Sequence, residues 1–160
     1  MVHPDFEEFL AAFNARSVRY LIGGAHALAL YARPRATKDL DLFIDPAPAN
    51  TRRASAAIGA FFGGTPPRYA SAANLRSDTI LQLGVAPVRI DIMSRFGAIE
   101  RFADAWSRRC DARFGTELAH YLSIADLIAE KTFWSRPQDV ADLIVLRRAQ
   151  KRRGKAPKFR

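Results

Sequence analysis

Two aspartates one residue apart, Asp39 and Asp41, stand in the run DLDLFID (39–45), which a third acid, Asp45, closes. Strand alternation assigns Leu40, Leu42 and Ile44 to one face and Asp39, Asp41 and Phe43 to the other. A carboxylate on a half-buried strand is costly unless something positive sits opposite it. Two carboxylates on one strand face can hold the same divalent cations. Such an oxygen-rich cluster suits Mg²⁺, which keeps waters and takes further ligands from substrate phosphates. A third acid completes a site for two ions about 3.5–4 Å apart. The run PVRIDIM (87–93) offers one, with Val88, Ile90 and Ile92 on one face and Arg89, Asp91 and Met93 on the other. If the two strands pair, Asp39, Asp41 and Asp91 converge.

Two other groups lie within reach of such a site. Gly23 and Gly24 end one strand-like run and open a helix-like one, which leaves backbone N–H groups and a positive dipole end suited to a phosphate. Lys131 shares a helix face with Leu127 and Ile128, and Asp139 and Asp142 lie three apart on the next helix. Each feature has a plain structural alternative. The glycines serve as a tight turn, Arg33, Arg35 or Arg89 pair with the acids, and a Lys131–Asp142 or Arg136–Asp139 bridge docks two helices. A calcium loop is disfavoured, because the acids lack its glycine turn and terminal glutamate.

The elements that must position these groups are readable from periodicity and punctuation. An amphipathic helix with Pro4 near its start carries Phe6, Phe9, Leu10 and Phe13. The strand VRYLI, the helix AHALALYA, the loop ARPRATK and the strand DLDLFID follow, then a helix NTRRASAAIGAFF and a loop at TPPRY. DTILQLG and PVRIDIM read as neighbouring strands joined by a turn. A helix at AIERFADAWSRR, two extended pieces at DARFG and ELAHYLS, and two helices, SIADLIAEKTFW and PQDVADLIVLRRAQ, complete the order. Ser123 caps the first of these two, and Pro137 starts the second. The mixture implies one α+β (α/β) domain over residues 1–150. Trp106, Trp134 and the phenylalanines are expected in its core, and His26 on the surface or in packing.

The order Gly-Gly, short helix, RPRATKDLDLFID and a later strand aspartate resembles the nucleotidyltransferases of the DNA polymerase beta superfamily, over roughly Tyr20 to Leu146. LIAEKTFWSRPQDVADLIVL is similar to the Lys…Arg…Asp…Asp-Leu helix pair of the minimal and AbiEii-toxin-like branch. The resemblance implies a nucleotidyltransferase fold, a small mixed sheet carrying the acidic triad, flanked by helices and finished by a helix pair. It implies that Asp39, Asp41 and Asp91 hold two Mg²⁺ ions, with Asp91 also the base, and that Gly23, Gly24 and Lys131 face the triphosphate of ATP or another NTP. Arg136 joins the nucleotide site. Arg35 and Lys38 neutralise charge on nucleotide or acceptor, and Thr37 hydrogen-bonds a carboxylate or a phosphate.

Charge bears on the acceptor. Eight of the 25 Lys and Arg fall from Arg147 onward, which leaves 17 basic residues against 16 acidic ones in the rest. The basic character therefore belongs to the end of the chain, with residues 151–160 expected as a flexible tail. Such a tail adds phosphate contacts to RNA or merely solubilises. RNA, especially tRNA ends, is the favoured acceptor, with a small molecule of the aminoglycoside or lincosamide kind, or a protein hydroxyl, as alternatives. A non-catalytic module binding nucleotide, RNA or a partner protein is the rival, an antitoxin-like partner follows from the toxin-like branch, and oligomers stay open. No apolar run approaches a membrane span, a single cysteine excludes an internal disulfide, and His3, His26 and His120 lack zinc-ligand spacing, so a cytoplasmic domain is expected.

Overall fold

The computed structural model describes residues 2–85 and 87–155. Helix α1 (Pro4–Ala15) buries Phe6, Phe9, Leu10 and Phe13, the stripe its periodicity dictates. Strand β1 (Tyr20–Ile22) is buried throughout and runs into α2 (Gly24–Tyr31). Strand β2 (Asp39–Ile44) alternates as expected, except that Phe43, on the acid face, is itself buried against the rings of Phe96 and Phe102. Then come α3 (Pro48–Phe61), a 3₁₀ turn at Arg68–Ala70, and a short α4 (Ala72–Arg76) capped by the Ser71 side chain. Strands β3 (Leu81–Val85) and β4 (Val88–Met93) form the anticipated antiparallel neighbours. Helix α5 (Phe102–Ser107), the hairpin of β5 (Cys110–Phe114) and β6 (Glu117–Tyr121), α6 (Ile124–Trp134) and α7 (Pro137–Lys155) complete the chain.

The strands make one mixed six-stranded sheet in the order β3-β4-β2-β1-β6-β5. The central strand β1 is antiparallel to β2 and parallel to β6, and β2 is parallel to β4. A strand buried on both faces reads as a continuous apolar run, which is why YLI shows no alternation. The fold is thus α+β, a mixed sheet flanked by helices. Among the described residues no helix is long and apolar enough to cross a membrane.

Three boundaries differ from the sequence expectation. The helix expected over AIERFADAWSRR begins only at Phe102, because Phe96 and Ile99 form an isolated bridge that sends both side chains into the core. Helix α4 carries no hydrophobic periodicity long enough to announce it and is set by its Ser71 cap. The basic end is not all tail. Helix α7 continues through Lys155, built apart from Gly154 from Arg, Lys, Ala and Gln, which are strong helix formers, and Arg153 lies over the Tyr31 ring at 4.7 Å. The rest of the expected tail, 156–160, lies outside the described residues.

Candidate active site

Everything about the acid cluster follows from the register of β2 on β4. The parallel pairing sets Asp41 opposite Asp91 and Asp39 opposite Arg89, so all four side chains share one face. Asp91 is buried, and Asp39 is about one-third exposed. Arg89 joins the two outer acids, donating from Nη2 to Asp39 Oδ2 at 2.9 Å. Its Nε lies 3.2 Å from Asp91 Oδ1, close enough for an ion pair, yet both atoms lack an aligned hydrogen bond. Asp41 has no ion-pair partner among the described residues. Burial, then the charge of Asp91, then that of Asp39, push its carboxyl up to about 6. Burial raises Asp91 as well, against the pull of Arg89.

The glycine turn sits directly above. The Gly23 N–H donates to the Asp41 carbonyl at 2.9 Å, extending the β1–β2 ladder into the turn. A side chain at Gly23 would run into the Phe96 ring, and a Cβ at Gly24 would overlap the Asp41 carboxylate. Gly24 also has φ +56°, a left-handed conformation that glycine adopts without strain. Gly23 is therefore a packing residue, buried beneath Phe96. Gly24 brings the start of α2, with its unpaired first-turn N–H groups, against the acid pair.

A cavity of about 300 Å³ opens here, with Gly24, Asp41, Asp91, Lys131 and Arg136 among its lining residues. Gly23, Arg35, Thr37 and Lys38, also singled out for the site, do not line it, nor does Asp39, which Arg89 holds at the margin. Thr37 Oγ1 exchanges hydrogen bonds with the Asp39 backbone at 3.2 Å and so fixes the start of β2. Arg35 pairs with Asp142 at 3.2 Å, while Lys38 is exposed and contributes its carbonyl to the Arg89 N–H.

Lys131 is buried at the join of α6 and α7. Its Nζ donates to Asp142 at 2.7 Å and to Asp139 at 3.4 Å. Arg136 donates from Nε and from its backbone N–H to Asp139, which closes the first turn of α7. The bridges that dock the two helices are therefore formed, and the same lysine lies in the cavity wall, where its charge lowers the Asp41 pKa. An ammonium has three donors, and these bridges use two.

Sequence reasoning missed Glu130, Trp134 and Ile80, all in the cavity wall. Trp134 is half exposed at its rim and is not a core residue, and Phe133 and Phe62 are similarly exposed. The signal for Glu130 and Trp134 was available, since they continue the Leu127–Lys131 stripe at helical spacing. His26 packs as expected, between the rings of Phe6 and Phe114.

The donor chemistry decides whether Mg²⁺ fits. Among the described residues, no three carboxylate, histidine or cysteine groups stand as a ready-made metal ligand set, and Arg89 lies between Asp39 and Asp91. The Asp41–Asp91 pair does fit a hard cation. It consists of two carboxylates in register on adjacent strands, hard oxygen donors whose charge burial disfavours and a cation would offset. No protein-family model matches the chain, and no curated protein matches it.

Proposed function

We propose that this chain is a Mg²⁺-dependent nucleotidyltransferase that moves a nucleoside monophosphate from an NTP onto a hydroxyl. The observation that carries the reading is the in-register parallel pairing of Asp41 with Asp91 beneath the N-terminus of α2. Buried carboxylates side by side need a cation, and a helix start above them suits a phosphate. Asp41 and Asp91, joined by Asp39 when Arg89 releases it, are the residues that would hold the metal. Bound there, Mg²⁺ supplies Lewis-acid polarisation of the α-phosphate and neutralises the leaving pyrophosphate.

The protein's own groups then have defined tasks. The first-turn N–H groups of α2 and the guanidinium of Arg136 orient the phosphates, with Lys131 contributing positive charge from the wall. Asp91 accepts the proton of the acceptor hydroxyl as its oxygen bonds to the α-phosphorus. The bond from that phosphorus to the β-bridging oxygen breaks, and pyrophosphate departs. Arg89 is the counter-ion that keeps Asp39 and Asp91 together without substrate.

RNA is the favoured acceptor. The exposed Arg147, Arg148, Lys151 and Arg152 line a helix that begins at the cavity and carries no acid beyond Asp142. A small-molecule or protein hydroxyl is the alternative acceptor, and an antitoxin-like partner belongs to the toxin-like version of the reading. One observation favours a second reading, a nucleotide- or RNA-binding module without turnover: Arg89 already pairs with two of the three acids, Asp39 and Asp91. Label transfer from α-labelled NTPs to RNA, tRNA and an aminoglycoside and lincosamide panel separates the two. Transfer that Asp41→Asn abolishes supports the enzyme. Mg²⁺-independent nucleotide binding without transfer supports the module.

A further inference from the structure

The cavity has an apolar end that the acid pair does not use. Met93 follows Asp91 on the same face of β4, one two-residue step or about 6.6 Å along the strand. Phe96 and Leu127 line this end, and Ile80 and Trp134 stand at its rims, 59% and 52% exposed. Large apolar side chains left half in water at a cavity mouth are a contact surface suited to a flat apolar partner.

Trp134 is held there by a specific bond. Its indole Nε1 donates to Glu130 Oε1, and Glu130 is only 6% exposed. The other oxygen, Oε2, is buried without a hydrogen-bond partner and is wedged against Gly97, where a Cβ would overlap it. Burying a carboxylate is costly even with the Ala98 backbone and the Trp134 indole acting on it, and the ring it fixes lies at the surface. Arg136, already tied to Asp139, lies 6.0 Å from the Trp134 ring, which links the indole to the polar end of the cavity.

We infer that this end is a nucleobase platform. The base of the bound nucleoside triphosphate stacks on the Trp134 indole and over Met93 and Phe96, and Glu130 is the positioning residue that fixes the indole. This rests on the proposal that the acid end takes the phosphates. The strand step from Asp91 to Met93 matches a ligand with charge at one end and a planar ring beyond a short spacer. Ile80, Met93, Phe96, Leu127 and Trp134 give this end its apolar surface, so stacking area favours the larger ring system. The preferred class is therefore purine nucleoside triphosphates.

The test compares ATP with inorganic tripolyphosphate, which has the charge but no base, by calorimetry in Mg²⁺. Trp134→Ala should weaken ATP about fivefold or more and leave tripolyphosphate unchanged, and Trp134→Phe should restore most of the loss. Glu130→Ala should behave as Trp134→Ala does. Glu130→Gln, whose amide oxygen still accepts from the indole, should keep ATP affinity. Unchanged ATP affinity in Trp134→Ala, with tripolyphosphate still bound, overturns the platform alone. Wild-type protein that binds neither probe overturns the phosphate reading and the platform with it.

Discussion

Asp41→Asn should make the protein more stable at neutral pH while removing the metal-dependent chemistry proposed for it. The Asp41 carboxyl stands at about 6 against an ordinary value of 3.8. A raised acid binds its proton more tightly in the folded state, so its stabilising contribution is complete below about pH 3.8 and is lost as pH rises through about 6. At pH 7.5 the ionised Asp41 therefore costs about 3 kcal/mol, from a shift of about two units at roughly 1.4 kcal/mol each. Asparagine keeps the shape and removes the charge. In a chain of this size the gain corresponds to a melting temperature about 6–12 °C higher. Urea unfolding of both proteins at pH 7.5 and pH 4 is the assay, because the difference between them isolates Asp41. The advantage should approach zero at pH 4, and saturating Mg²⁺ should stabilise only the wild type. Equal or lower stability of Asp41→Asn at pH 7.5 would refute the reasoning, since it would mean that Arg89 and Lys131 already satisfy the Asp41 charge.

Other perturbations probe the groups around it. Arg89→Gln frees Asp39 and Asp91 from their shared guanidinium and should tighten Mg²⁺ binding at least about fivefold, as removal of a competing charge worth about 1 kcal/mol requires, read by calorimetry. Lys131→Met removes the buried cation that Asp139 and Asp142 share and leaves them only Arg136 and Arg35, so it should lower stability in chemical denaturation by less than the roughly 3–5 kcal/mol of a fully unpaired buried charge. Adding Asp142→Asn to Lys131→Met should recover part of that loss. Charge reversal of Arg147 and Lys151 should weaken RNA binding by the Asp41→Asn protein. It should also flatten the dependence on log salt by roughly 0.7 for each single-strand phosphate that is no longer neutralised. Filter binding between 50 and 200 mM salt reads it, and an unchanged slope would remove α7 from the RNA surface.

The parts of the fold legible in the sequence were those that local patterning determines. The α1 stripe, the strands carrying the aspartates, the β3–β4 hairpin and the starts of α6 and α7 at Ser123 and Pro137 are all set by alternation, caps or proline. The shared face of Asp39, Asp41 and Asp91 was legible too, because period two fixes a side chain's face once the strands pair. That β2 and β4 pair in parallel, with Asp41 against Asp91, was not legible, since register depends on β1 and β6 filling the centre of the sheet. Nor was the choice among the partners open to the basic side chains. Arg35 read equally as a ligand contact or as a partner of the acids, and it reaches across to Asp142, while Thr37, expected on a carboxylate or a phosphate, turns back onto the Asp39 backbone. Trp134 read as core because large aromatics usually are, whereas the Glu130 carboxylate one helical turn earlier holds it at the rim.

Arg89 carries the balance between stability and function at this site. Without it, three carboxylates on adjacent strands would leave Asp39 and Asp91 as exposed to mutual repulsion as Asp41 is. With it, the outer two share a cation and Asp41 bears the larger cost, although burial still raises Asp91. Its grip is unequal: the contact to Asp39 is an aligned hydrogen bond, while that to Asp91 is proximity without alignment. A charge-assisted bond is roughly twice as strong as a neutral one only when it is aligned, so Asp91 is the acid more easily taken from Arg89. A cation entering the cavity would therefore recruit Asp41 and Asp91 first and Asp39 last. Mg²⁺ affinity should then fall far more in Asp91→Asn than in Asp39→Asn, and a larger loss from Asp39→Asn would reverse that order of assembly.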